Sequence, residues 1–176
     1  ADPARRGIRI AAVISEALQS IGQKAILVGG AAVEYYTEGK YATGDIDMIA
    51  FGGEDLWSLM EELGFEKQGK NYIHPSLQIY IEFPSEAFSR GEKIKVLDID
   101  GVSMEIIAIE DLIVDRLCAY KFWGSGQDGV AAILLLESQP FDKTRLLTCA
   151  RKENVLDALE AVQTIYQEVF RKKIDR

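Results

Sequence analysis

Residues 25–50 open with Ala25-Ile26-Leu27-Val28-Gly29-Gly30-Ala31-Ala32-Val33-Glu34-Tyr35-Tyr36 and close, after a polar connection, with Ala42-Thr43-Gly44-Asp45-Ile46-Asp47-Met48-Ile49-Ala50. The apolar run Ala25–Val28 has the length and composition of a buried strand. It runs into Gly29-Gly30, where the missing β-carbons let the backbone turn sharply and lie close to a ligand. Residues 31–36 then read as the opening turns of a helix, whose free N–H groups would point towards the two glycines and favour a phosphate. Asp45 and Asp47 fall in a second apolar strand, residues 46–51 with the aspartates at its start. Strand side chains alternate, so the two carboxylates share one face and Ile46 takes the other. Like charges that close repel each other unless a cation lies between them. Paired carboxylates near a phosphate-binding turn are what a Mg²⁺ (or Mn²⁺) site for nucleotide chemistry requires.

The rest of the composition sets bounds. The chain has 176 residues, 48% of them apolar, and suits one domain with a small helical appendage. No apolar run approaches the ~20 residues of a membrane span, and the N-terminus has no signal-peptide h-region. Ala1-Asp2-Pro3 reads as an expression remnant. Cys118 and Cys149 have neither metal-ligand nor redox spacing and read as buried thiols, which fits a reducing cytoplasm. The formal charge of −8 argues against generic nucleic-acid binding, so RNA is a disfavoured partner.

Periodicity divides the chain. Ile10, Val13, Ile14, Ala17, Leu18 and Ile21 mark a helix over residues 9–21 with Gly22 at its end. Residues 37–44 read as a mobile polar loop. Leu56, Leu59, Met60 and Leu63 mark a helix over residues 54–63. Residues 65–73 read as a weak strand or a hairpin around Gly69-Lys70-Asn71. Residues 77–83 alternate, with Leu77, Ile79, Ile81 and Phe83 on one face and Gln78, Tyr80 and Glu82 on the other. Asp100-Gly101 signals a hairpin between residues 94–98 and 102–107. From Glu110 the period is helical: a helix to Trp123, a very apolar and therefore buried helix over 128–137, and two more over 143–151 and 154–172. The expectation is an α/β core over residues 1–108, with a twisted mixed sheet and flanking helices, and a C-terminal helical segment over 109–176.

Gly29-Gly30 followed by Asp45-Ile46-Asp47 resembles the signature of the nucleotidyltransferase superfamily, the DNA polymerase beta type. The chain is most similar to small bacterial members from toxin–antitoxin and abortive-infection systems. The resemblance implies a metal-dependent enzyme that moves a nucleoside monophosphate from a nucleoside triphosphate to a hydroxyl acceptor. The acceptor would be a small molecule, a protein or an RNA end, and an antitoxin or toxin would be the protein partner. It also implies a third carboxylate on a neighbouring strand. Glu82 stands there, where relatives usually carry Asp, and the same succession of hairpin and Glu110-Asp111-Leu112-Ile113 helix follows it. Asp45, Asp47 and Glu82 would hold the metal and carry catalysis. Gly29, Gly30 and Thr43 would take the nucleotide, together with Arg116, Lys121 and Asp128 on the following helix pair; Gln127 stands where relatives have Arg. The other reading is a catalytically degenerate member acting as a nucleotide-binding or protein-interaction module.

Each residue has an ordinary alternative. Asp45 and Asp47 could cap a solvated strand end, and Glu82 could be a solvated strand residue. Arg116 and Lys121 could be helix surface charges, with Asp111 and Asp115 as partners for Arg116. Asp98-Ile99-Asp100 has the metal-site spelling but follows no glycine-rich turn, so it reads as turn chemistry. His74 is the sole histidine and supports neither a zinc site nor a triad. Trp57, Trp123, Tyr35 and Tyr36 read as packing residues, with base stacking by Tyr35 or Tyr36 as the alternative. Arg171-Lys172-Lys173 reads as a solvated tail.

Overall fold

The computed structural model describes residues 5–50, 52–85, 88 and 91–174, with side chains to residue 169. Residue 51, Ala1-Asp2-Pro3 and the side chains of Arg171-Lys172-Lys173 lie outside the described residues. The chain forms two compact units, Ala1–Ala108 and Ile109–Arg176.

The first unit is α/β. Its elements are α1 (Arg6–Ser20), β1 (Ala25–Val28), α2 (Gly29–Tyr36), β2 (Asp45–Ala50), α3 (Glu54–Glu62), β3 (Glu66–Gln68), β4 (Asn71–His74), β5 (Ile79–Glu82), β6 (Ile94–Ile99) and β7 (Val102–Ile107). The strands form one mixed sheet in the order β3-β4-β5-β2-β1-β7-β6. β1 runs antiparallel to β2 and parallel to β7, and β2 runs parallel to β5. Alternation decides which face is covered. Leu27, Met48, Ile81 and Ile106 are fully buried on one face, and α1 packs over β7, β1 and β2.

Helix α1 buries a different stripe from the one its largest apolar residues suggest. Ile8, Ala11, Ala12, Ile14, Ser15 and Leu18 face inward, while Val13 and Ile21 are exposed. The two alanines let the helix lie close to the sheet, which the bulkier stripe would prevent. The strand expected over residues 77–83 also begins later. Gln78 adopts φ +51° in a turn, and Leu77 is 55% exposed instead of lying on the inner face. The Asp100-Gly101 hairpin forms as its turn chemistry requires, with φ of +53° and +89° at the two positions. Asp98 accepts the Gly101 N–H at 3.1 Å, and Asp100 pairs with Arg9 at 2.6 Å. That pattern is turn chemistry.

The second unit contains α4 (Ile109–Trp123), α5 (Gly126–Ser138), α6 (Lys143–Lys152) and α7 (Leu156–Ile174). Leu112, Ile113, Leu117, Leu135, Leu146, Val155 and Leu159 form its core. Helices α4 and α5 approach closely at Gly129, where a β-carbon would lie 2.8 Å from the Tyr120 ring. Helix α5 is less buried than its composition suggests: Val130 is exposed, and Ile133, Leu134 and Leu136 are half-buried. Trp123 is 85% exposed, because Gly124 turns the chain directly after it. The cysteines are half-buried. Burial, then the Asp111 charge, pushes the Cys149 thiol up.

Two buried acids at the start of α4 tie this unit together. Glu110 accepts the Asp142 N–H at 2.7 Å, and Asp111 pairs with Arg145 at 2.5 Å. Asp142 in turn caps α6 by accepting the Arg145 N–H at 3.0 Å. Removing one partner of a buried ion pair leaves the other uncompensated. Asp111→Ala should therefore destabilise the second unit by about 3–5 kcal/mol, read as a lower urea midpoint followed by helical circular dichroism.

Candidate functional site

The site begins where β1 stops. Helix α2 starts at Gly29, two residues earlier than its apolar pattern suggests, and Val28 provides no side-chain cap for its first-turn N–H groups. Gly29 adopts φ +61°. A β-carbon there would lie 2.8 Å from Cβ and Cγ of Asp47 and collide with the Asp47 carboxylate. A β-carbon on Gly30 would lie 2.7 Å from Thr43 Oγ1 and 3.0 Å from Thr43 Cβ. The two glycines therefore serve different neighbours: Gly29 turns the chain and makes room for Asp47, and Gly30 makes room for Thr43.

Strand β2 lies between β1 and β5. Asp47 pairs with Val28 on one side and Glu82 on the other, and Asp45 pairs with Tyr80. Paired residues share a face. Neighbouring strands lie about 4.8 Å apart, and alternate residues of one strand about 6.6 Å. Asp45, Asp47 and Glu82 thus occupy three adjacent places on one face of the sheet. Asp45 is exposed, and Asp47 and Glu82 are half-buried. The carboxylates stand side by side: among the described residues, no three His, Cys, Asp or Glu side chains converge closely enough to hold a metal ion. Magnesium takes oxygen ligands at about 2.1 Å, so these three would have to rotate inward to share one. Their placement on one face fits the donor chemistry of a hard cation, while their rotamers do not form a closed cage.

A cavity of about 530 Å³ opens at the start of β2 and β5, lined by Thr43, Asp45 and Tyr80 with Arg6, Glu34 and Gln78. Glu34 is a residue that motif reasoning passed over. Its carboxylate accepts the Thr43 N–H, and Thr43 Oγ1 lies 3.4 Å from the Asp45 N–H. Helix α2 thus holds the strand entry that carries Asp45. The available signal was its place one helical turn after Gly30, on the same helix face. The loop over residues 37–44 is tied further at Thr37, which is buried, donates to the Val33 carbonyl at 2.8 Å and accepts the Tyr41 N–H at 3.2 Å. Tyr36 is buried with its hydroxyl donating to the Ile107 carbonyl at 2.8 Å, so it packs and does not stack a base. Tyr35 is half-buried with its ring edge-on to Tyr36.

The other expected nucleotide residues lie in the second unit. Arg116 pairs with Asp128 at 2.8 Å and with Asp115 at 2.5 Å. Lys121 stands apart from them, donating to Asp157 at 2.8 Å and to the Asn154 carbonyl at 2.6 Å. His74 accepts the Leu77 N–H at 3.3 Å and packs edge-on to Phe65, a turn role.

No family model matches this sequence, and no curated protein matches it. Solved structures do match. A nucleotidyltransferase-like antigenic protein from Paracoccidioides brasiliensis aligns with a TM-score of 0.59 at 16% identity, over 88% of this chain and 91% of that one. The antibiotic-resistance factor ANT(2'')-Ia aligns with a TM-score of 0.55 at 13% identity, over 96% and 98% of the two chains. JHP933 from Helicobacter pylori aligns with a TM-score of 0.50 at 16% identity, over 99% and 97%. The fold is that of nucleotidyltransferase-like proteins. Among the described residues, no helix is long and apolar enough to cross a membrane.

Two outcomes follow from this geometry. Gly29→Ala should cost about 1–3 kcal/mol from its left-handed backbone alone, and more from the Asp47 collision, measured by thermal unfolding. Burial raises the Glu34 carboxyl above its ordinary value, against the smaller opposing pull of the Thr43 N–H. Glu34 therefore contributes most to stability below its unfolded pKa, and that contribution is lost as pH rises through its folded value. Glu34→Gln should be more stable relative to wild type at neutral pH than in acid, the difference shrinking as Glu34 protonates, measured by urea unfolding across pH.

Proposed function

We propose that the protein is a metal-dependent nucleotidyltransferase, which transfers a nucleoside monophosphate from a nucleoside triphosphate to a hydroxyl acceptor with release of pyrophosphate. The observation that carries this reading is the pairing of Asp47 with Glu82 on one side and its contact with Gly29 on the other. It sets three carboxylates beside a helix start that the Val28 side chain does not cap. Asp45, Asp47 and Glu82 would hold Mg²⁺ or Mn²⁺, which when bound supplies charge neutralisation for the triphosphate and activation of the acceptor hydroxyl. The first-turn N–H groups of α2 would receive phosphate oxygens at Gly29 and Gly30. Glu82 would accept the acceptor hydroxyl's proton. The chain's contribution is positioning and preset electrostatics, with no covalent intermediate on the protein.

The finer part of the proposal is a place in a toxin–antitoxin or defence system, with an antitoxin or toxin as protein partner. It rests on the resemblance of the Glu110-Asp111-Leu112-Ile113 stretch. A second reading, a degenerate member that binds nucleotide or a protein without catalysis, is favoured by one observation: the three carboxylates do not close on a common centre.

Calorimetric titration with each nucleoside triphosphate, with and without Mg²⁺, tests the reading. Metal-dependent binding in the wild type should be lost, by tenfold or more (roughly the worth of one charged contact), in Asp45→Asn/Asp47→Asn. A folded wild type that binds no triphosphate would remove the transferase reading and leave the interaction module.

A further inference from the structure

The sheet has a second cavity, on the face opposite the carboxylates. Tyr72 pairs with Ile81, and Ile81 with Ile46, so Tyr72 lies on the face that Asp45, Asp47 and Glu82 do not use. At the far end of β2 from Asp45, a cavity of about 420 Å³ is lined by Trp57, Lys67, Lys70, Tyr72, Glu54 and Phe83. That volume lies within the usual range of about 300–1,000 Å³ for small-molecule sites.

Its lining is unusual for this chain. Trp57 is 46% exposed on α3, which departs from the packing role its size suggests. Tyr72 is 6% exposed, and its hydroxyl is not among the buried polar atoms without a partner, so it meets solvent. A solvent-reaching phenol beside a cavity can donate to a ligand atom in place of water. Lys67 lies on β3 and Lys70 in the β3–β4 turn, and neither makes an ion pair among the described residues. Lys67 Nζ sits 5.9 Å from the centre of the Tyr72 ring. In a protein of net charge −8, two unpaired ammonium groups beside an open indole form a local exception.

We infer that this cavity binds a planar, singly phosphorylated ligand of nucleoside monophosphate size, separately from the carboxylate site. The ring would stack on Trp57, and the phosphate would sit between Lys67 and Lys70. The start of α3 does not suit the phosphate, because Glu54 and Asp55 occupy its first turn. Glu54 instead suits the other end of the ligand, accepting from a base amino group or a ribose hydroxyl. The Tyr72 hydroxyl would donate to the ligand in place of water.

Adenosine monophosphate without metal is the probe, and the full chain carrying Trp123→Phe reports through Trp57 fluorescence. Saturable quenching is expected, weakened about tenfold or more in Lys67→Ala/Lys70→Ala and by added salt. Binding followed by calorimetry should fall similarly in Trp57→Leu. The same quenching should persist in Asp45→Asn/Asp47→Asn, which keeps this result independent of the transferase reading. No saturable quenching up to millimolar nucleotide would overturn the inference, as would quenching indifferent to the lysines or abolished in the Asp45/Asp47 variant. Quenching by oligoadenylate with none by the mononucleotide would also overturn it, in favour of a single-stranded RNA surface.

Discussion

The contact between Gly29 and Asp47 governs the arrangement of the first unit. A chain that leaves β1 and enters a helix without an intervening loop must turn within one residue, and the left-handed backbone of Gly29 provides that turn. The absent side chain then leaves space for Asp47 across the β1–β2 ladder. Any larger residue would push α2 away from β2 and break two relationships together: the register that sets Val28 beside Asp47, and the seat of Thr43 against Gly30. The site is therefore a property of the strand–turn–helix unit as a whole. Its carboxylates are held by the sheet, and the first amides of α2 by the turn.

The second unit solves a different problem. Its first turn begins with two carboxylates that are nearly excluded from water, a costly arrangement unless each is bonded. Glu110 spends its charge on the backbone N–H of Asp142, and Asp111 on the Arg145 guanidinium. Burial, the largest single influence, would lower the Arg145 pKa, but the Asp111 bond and charge, with Cys149 and Glu110, together outweigh it and raise it. The acids that look in sequence like part of a functional motif are, within this unit, the fasteners between α4 and α6. Arg116 and Asp128 bond to each other in the same way between α4 and α5.

Much of the first unit could be read from sequence because its signals are local. Four apolar residues ahead of Gly29-Gly30 define β1, the Asp-x-Asp alternation defines the exposed face of β2, and Asp100-Gly101 defines the β6–β7 turn. The parts that could not be read depend on tertiary choices. Helix α1 carries two apolar stripes, and the less bulky one faces the sheet because Ala11 and Ala12 permit close approach. Leu77 continues the β5 alternation but lies outside the strand, because Gln78 turns the chain before pairing with β4 begins. Trp123 and Trp57 look like core residues by type alone; exposure depends on where the following turn and the neighbouring cavity lie. Glu34 carries only a positional signal, one helical turn after Gly30, because its partner, the Thr43 N–H, is a backbone group with no signature of its own.

The sheet order also constrains how the unit forms. β1 occupies the interior of the sheet, with β2 on one side and β7 on the other, and its partners are far apart along the chain: Leu27 pairs with both Met48 and Ile106. The β6–β7 hairpin can form by itself, closed by a short turn, but β1 stays half-paired until that hairpin arrives. During synthesis, a ribosome-bound chain that ends before β7 presents one bare edge of an apolar strand. The last strand of the unit thus completes the first, and the unit gains its full cooperativity only when residue 107 has emerged.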